Sequence, residues 1–156
     1  MPIATSLQKY LAEKGAEYEV VTHTPTVSAS RTAQVSHVPG DRIAKAVVLK
    51  SDDGYLLAVL PASHHIQLGE LQRWLNRPIG LATEDEAAAL FSDCQLGAFP
   101  ATGGAYGLEV VMDDSLSAQP DIYFEGGDHA SLVHVSAEQF KELMAGAKEG
   151  RFSHHD

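Results

Sequence analysis

The chain is poor in three things, and each shortage excludes a class of protein. It has one cysteine in 156 residues, so it can build neither an internal disulfide nor a thiolate zinc cluster, and a reducing, cytoplasmic setting is the expectation. Cations are scarce: 11 Lys+Arg face 21 Asp+Glu, a formal net charge of -10. That balance argues against a broad duplex-DNA or anionic-membrane binder, whose affinity comes from clustered positive charge. Long apolar runs are also missing. No stretch approaches the ~20 residues of a membrane span, and the opening MPIATSLQKYLAEKG has no continuous apolar core of the signal-peptide kind. What remains is an ordinary soluble composition, 44% hydrophobic and 21% charged. A chain of this length suits one domain that buries about 70% of its unfolded surface.

Periodicity and turn chemistry divide the chain into short elements. An amphipathic helix is expected first, capped by Thr5 or Ser6, with Leu7, Tyr10 and Leu11 on one face and Gly15 at its end. Tyr18–Val21 reads as a strand, the His23-Thr24-Pro25 turn breaks it, and Ser28–Ser30 offers hydroxyl caps for a helix reaching about Ser36. Two β-branched runs, Ala44–Leu49 and Tyr55–Leu60, flank Ser51-Asp52-Asp53-Gly54 and predict a hairpin. A helix at Gln67–Asn76, a strand at Ile79–Ala82 and a helix opened by the capping box Thr83-x-x-Glu86 follow. Leu108–Met112, Ile122–Phe124 and Leu132–Val135 are strand candidates, and Ser136-x-x-Gln139 caps a last helix to about Ala145. The expected class is α+β: a single compact domain over residues 1–147, with a mixed, mostly antiparallel sheet and flanking helices, then a flexible tail over 148–156.

Most candidate chemistry has a plainer reading. The eight histidines include the adjacent pairs His64-His65 and His154-His155, but neighbours on a strand point to opposite faces, and no metal-ligand spacing occurs, so no metal or other cofactor is expected. The carboxylate groups Asp52-Asp53, Glu84-Asp85-Glu86 and Asp113-Asp114 fit a turn, a helix N-terminus and a strand end. Cys94 lacks any activating neighbour in sequence. Two features stand out instead. Lys45 carries a cation into an apolar strand. The segment 93–107 holds Gly97, Gly103, Gly104 and Gly107, and closely spaced glycines let backbone N–H groups approach a ligand or a developing oxyanion.

Three blocks, Ala44-Lys45-Ala46-Val47-Val48-Leu49, the loop Asp93–Gly103 followed by Ala105-Tyr106-Gly107, and Gly126-Gly127-Asp128-His129, together with the early His23-x-Pro25 turn, resemble the YbaK / prolyl-tRNA-synthetase editing-domain family. The resemblance runs over about residues 5–145. It implies a domain that hydrolyses the ester joining a wrong, small amino acid to the terminal adenosine of tRNA, and so implies a tRNA acceptor end as partner, with an aminoacyl-tRNA synthetase as a further partner of the same kind. Carried over by position, Lys45, Gly97 and His129 are the catalytic candidates, and His23, Ala98, Phe99, Pro100, Ala101 and Gly103 the substrate-binding ones. His129 stands either as an orienting residue or as the base. One departure is plain: the fifth loop position, usually proline in the family, is Ala101, with Pro100 one place earlier. That departure also motivates a second reading, an editing-like module that binds a nucleotide, a tRNA end or a protein without hydrolysing anything. Charge is unevenly spread: residues 1–50 carry six cations and four anions, whereas 51–156 carry five and 17. A local, salt-sensitive grip on one acceptor end is therefore compatible with the acidic whole.

Overall fold

A computed structural model describes residues 3–23 and 38–155. The helix expected at Ser28–Ser36, with Thr24 and Pro25, lies outside the described residues. Helix α1 (Thr5–Glu13) leads into β1 (Glu19–Thr22), and a 3-10 turn at Gly40–Arg42 opens the hairpin β2 (Ile43–Ser51) and β3 (Gly54–Pro61). Strand β4 (His64–Ile66), helix α2 (Leu68–Leu75), strand β5 (Ile79–Leu81) and helix α3 (Glu84–Leu90) follow. Beyond the glycine loop come β6 (Glu109–Asp113), β7 (Asp121–Glu125), β8 (Ser131–Ser136), α4 (Ala137–Leu143), β9 (Lys148–Gly150) and β10 (Ser153–His155). The main sheet runs β1-β8-β7-β2-β3-β6-β9, with β5 also paired to β2, and a separate pair joins β10 to β4. Most pairings are antiparallel, while β2–β7, β3–β6 and β6–β9 are parallel.

Side-chain alternation along β2 assigns the two faces of this sheet. Ala44 and Val48 point into the main core, where they meet Leu57, Val59 and Phe124 and pack against Leu7 and Leu11 of α1 and Phe140 and Leu143 of α4. Leu49 points the other way, into a second cluster with Leu56, Leu60, Leu71 of α2 and Phe152. Strand β3 is buried on both faces, which is why Leu56–Leu60 reads as a continuous apolar run instead of alternating.

Local signals survive where their partners are near in sequence. The capping box forms as expected: Glu86 N–H donates to Thr83 Oγ1 at 3.1 Å, and Thr83 N–H donates to Glu86 Oε1 at 2.9 Å. Helix α1 is capped differently, because Ala4 takes the N-cap place and neither Thr5 nor Ser6 lends its hydroxyl. The Asp93 carboxylate, 87 residues away in sequence, accepts from Ser6 N–H at 2.8 Å instead. The expected flexible tail is corrected as well. Residues 148–150 and 153–155 are strands, and Phe152 between them is fully buried. Among the described residues, no helix is long and apolar enough to cross a membrane.

An ionic clasp ties the edge strand β1 to the sheet. His134 of β8 lies with Nδ1 2.5 Å from Glu19 Oε1 and Nε2 2.7 Å from Asp121 Oδ2, and its ring stacks on Tyr123 at 4.2 Å. Partial burial pushes its pKa down, but the two carboxylates outweigh burial and the net shift is upward. A raised folded-state pKa means that the clasp stabilises fully below the unfolded value of about 6.5 and is lost as pH climbs through the folded value. The stability gap between wild type and His134→Asn, read from thermal unfolding, should therefore narrow as pH rises from about 6 to about 8.5. A gap that stays constant across that range would show that the imidazole contributes by stacking alone.

Candidate functional site

The backbone brings the recognised blocks to one rim of the sheet. At that rim β1 ends, β8 begins, β7 runs out into Gly126-Gly127-Asp128-His129, and β2 enters. The glycine loop docks there through Gln95 N–H, which donates to the Gly127 carbonyl at 2.8 Å. His129 Nε2 lies 2.5 Å from the Leu96 carbonyl oxygen. A carbonyl only accepts, so Nε2 carries the proton of this bond. His23 N–H donates to the Ala130 carbonyl at 2.8 Å, which places His23 beside the same loop.

The conformation of the late loop follows from its sequence. Gly127 has φ +111, open only to glycine without strain, and a Cβ there would come within 3.1 Å of Ala4 Cβ and 3.2 Å of Cys94 Sγ. His129 itself sits at φ +62, an uncommon place for a side-chain-bearing residue. Asp128 holds the turn by accepting from Ala130 N–H at 2.9 Å and from Ser131 Oγ–H at 3.0 Å. A cavity of about 480 Å³ opens next to this junction, against Ala4, Gln95, Gly127 and Asp128.

Gly97 is exposed and has φ +86. Ala98 N–H folds back onto the Gln95 carbonyl at 3.0 Å, whereas among the described residues the amides of Leu96 and Gly97 donate to no backbone carbonyl. Leu96 and Gly97 are also exposed, unlike the buried residues 98–103 that follow them. The rest of the loop is fastened down. Phe99 stacks on Phe91 at 4.5 Å, and Phe91 meets Tyr106 at 4.4 Å. Phe99 and Ala101 belong to the main core, and Ala98 and Pro100 are buried beside them. Gly103 is buried so tightly that a Cβ would fall 2.5 Å from Val110 Cγ2. The structure thus separates the candidates of the loop. The catalytic candidate Gly97 is exposed, whereas the substrate-binding candidates Ala98, Phe99, Pro100, Ala101 and Gly103 are buried and anchor the loop. Ala101 itself is fully buried in the main core.

Lys45 enters the rim from β2. Its neighbour Ala44 pairs with Phe124 of the parallel strand β7, so one step further puts Lys45 level with Glu125. Both side chains fall on the sheet face opposite the main core, since Ala44 and Phe124 point into it. The Lys45 ammonium is partly buried and donates to the His64 carbonyl at 2.6 Å. Glu125 is 3% exposed. It lies one residue beyond the strand expected at Ile122–Phe124, as the last residue of β7. The available signal was an acidic residue closing an apolar strand immediately before two glycines.

The other candidates resolve into structural roles. Burial pushes the Cys94 thiol up to about 12, against a smaller opposing effect of the Tyr106 hydroxyl, so Cys94 is no thiolate at neutral pH. Glu86 accepts from Lys50 at 2.8 Å and from the Tyr55 hydroxyl at 2.6 Å, and with the Thr83 amide these hold its carboxyl down at about 2. Burial raises the Asp113 carboxyl, but bonds from Ser115 and from Phe152 N–H outweigh it and leave a net downward shift. Among the described residues no group of three or more His, Cys, Asp or Glu is placed to hold a metal ion.

Comparison with known proteins fits this arrangement. The family model described as the aminoacyl-tRNA editing domain matches residues 23–143, a span that contains Lys45, Gly97 and His129. Solved structures of similar fold include a scaffold protein from epitope backbone grafting by computational design, with TM-score 0.85, 24% identity and 97% of each chain covered. They also include a candidate trans-editing enzyme for prolyl-tRNA synthetase, with TM-score 0.84, 23% identity, 96% of this chain and 95% of that one. A candidate signal transduction protein from Marinobacter aquaeolei matches 95% of this chain but only 30% of its own, at 21% identity and TM-score 0.78. At such identities the structures establish the shared fold alone. No curated protein sequence matches. With the family model covering most of its length and the three blocks gathered at one rim, the chain belongs to the aminoacyl-tRNA editing domain family.

Proposed function

We propose that the protein is a trans-acting aminoacyl-tRNA deacylase, which hydrolyses the ester of a small, mischarged amino acid on tRNA. The observation that carries the reading is the docking of the Gly97 loop on the His129 turn, at the end of the strand β7 whose last residues run level with the start of the Lys45 strand. Its likeness to a candidate trans-editing enzyme for prolyl-tRNA synthetase supports the same direction. An aminoacyl ester is already activated, so positioning and oxyanion stabilisation suffice for much of the rate, and no nucleophile or triad is required.

In this reading Lys45 holds a phosphate or sugar oxygen of the terminal adenosine. The N–H groups of Leu96 and Gly97, which donate to no backbone carbonyl among the described residues, polarise the ester carbonyl. His129, with its Nε2 proton committed to the Leu96 carbonyl, fixes the loop that carries those donors. The tRNA 2′-OH and a bound water handle the proton. Loop anchorage by Phe99 and Ala101 keeps the donors in place without contributing surface to the ligand.

The decisive experiment is deacylation of a panel of tRNAs mischarged with small amino acids such as Ala, Ser, Cys and Pro. Hydrolysis of at least one, well above the spontaneous rate, is the expected outcome. If none is hydrolysed at high enzyme concentration, the deacylase reading falls and a binding module takes its place.

A further inference from the structure

We propose that the strand pair β4–β10 is the positioning element for Lys45, with Ser153 and His155 as the positioning residues. The proposal rests on the reading above in which Lys45 holds the substrate. A lysine side chain has many rotamers to lose, so an ammonium is well placed only if its acceptor is itself fixed. For Lys45 that acceptor is the His64 carbonyl. Strand β4 has only three residues, and among the described residues it pairs with no strand but β10. A two-stranded pair of this size is marginal alone and must be tied to something larger.

The tie is Phe152, immediately before β10. Its ring is fully buried in the second cluster with Leu60, the residue directly across from Lys45 on β3. Phe152 N–H donates to Asp113 Oδ2 at 3.0 Å, and Gln67 N–H donates to the Phe152 carbonyl at 2.6 Å. From this anchor β10 grips residue 64 twice. Ser153 Oγ lies 2.9 Å from His64 Nδ1, and the His155 ring meets the His64 ring edge-on at 5.5 Å. His155 also lies with Nε2 3.5 Å from Asp41, in the turn that opens β2. The register sets this up: in antiparallel pairing His155 stands opposite His64, and His154 opposite His65. The adjacent histidine pairs, unsuited to metal binding by spacing, are therefore the two sides of a strap whose inner face sits beside the lysine.

The test is a double substitution, Ser153→Ala with His155→Ala, which leaves Phe152 in place. For the best substrate of the panel the expected result is a KM raised about 10-fold with kcat within about twofold, the pattern of a lost uniform-binding interaction. In a Lys45→Ala background the same pair should cause no further change, because the residues act through Lys45. A KM effect of equal size in that background, or no KM effect at all, overturns the proposal. A second readout is independent of deacylation. Reductive methylation with 13C-formaldehyde keeps the charge and one N–H on each lysine, and the Lys45 signal is identified by its loss in Lys45→Ala. That signal should shift toward those of exposed lysines in the double variant, and an unmoved signal overturns the positioning role. If it shifts while the wild type hydrolyses no mischarged tRNA, the strap stands and the deacylase reading is the one that fails.

Discussion

Replacing Lys45 by alanine is expected to lower kcat/KM for deacylation about 10- to 100-fold, with most of the loss in KM. A hydrogen bond to a charged group is worth about 1.5–3 kcal/mol, and each 1.36 kcal/mol is tenfold in rate. A cation that grips a phosphate or sugar away from the ester holds ground state and transition state alike, which is why the loss should fall on KM. The salt dependence should change with it, the slope of log affinity against log salt becoming shallower by about 0.7 for one single-strand phosphate contact. Lys50→Ala is the matched control. Its side chain is 56% exposed, it pairs with Glu86 at 2.8 Å, and it sits at the other end of β2. Its removal should leave deacylation within about twofold, as expected for a solvent-facing pair. Equal kinetics and equal salt slopes for wild type and Lys45→Ala would remove Lys45 from the site.

Phe152→Ala carries the largest expected effect on stability, a loss of about 3–5 kcal/mol in urea unfolding. The ring is fully buried, stacks on Trp74 at 6.2 Å and fills the second cluster under α2. Against a typical total of about 5–15 kcal/mol, that loss would leave a visibly weakened domain. Arg151→Ala, whose side chain is 76% exposed, should change stability by less than about 0.5 kcal/mol. The contrast between neighbours discriminates sharply: a detached tail would make both substitutions silent.

How much was legible in the sequence depended on how far apart the interacting residues lie along the chain. The capping box of Thr83 and Glu86 and the β2–β3 hairpin involve partners a few residues apart, and both form where the local pattern put them. The cap of α1 did not follow its local signal, because a carboxylate from residue 93 reached Ser6 N–H. The segment after residue 147 looked detached because its short strands have no amphipathic period of their own. They exist by pairing with β4 and β6, and by burying one phenylalanine. In the glycine loop, composition marked an irregular segment but could not say which side chains turn inward. Phe99 and Ala101 went to the core, where Phe99 stacks on Phe91, and Gly97 stayed at the surface. Glu125 stayed hidden because its meaning lies in a register: it matters through standing level with Lys45 on a parallel strand more than 70 residues away.

By itself, the sequence determined the class of fold, the positions of most elements and the three blocks that identify the family. These follow from short-range rules, since alternation, capping and turn chemistry act within a few residues. Tertiary structure alone decided which residues of those blocks face outward, what holds the Lys45 ammonium and which strand stabilises that hold. Such choices depend on contacts between segments far apart in the chain, set by packing and strand register, and no local pattern of residues encodes them.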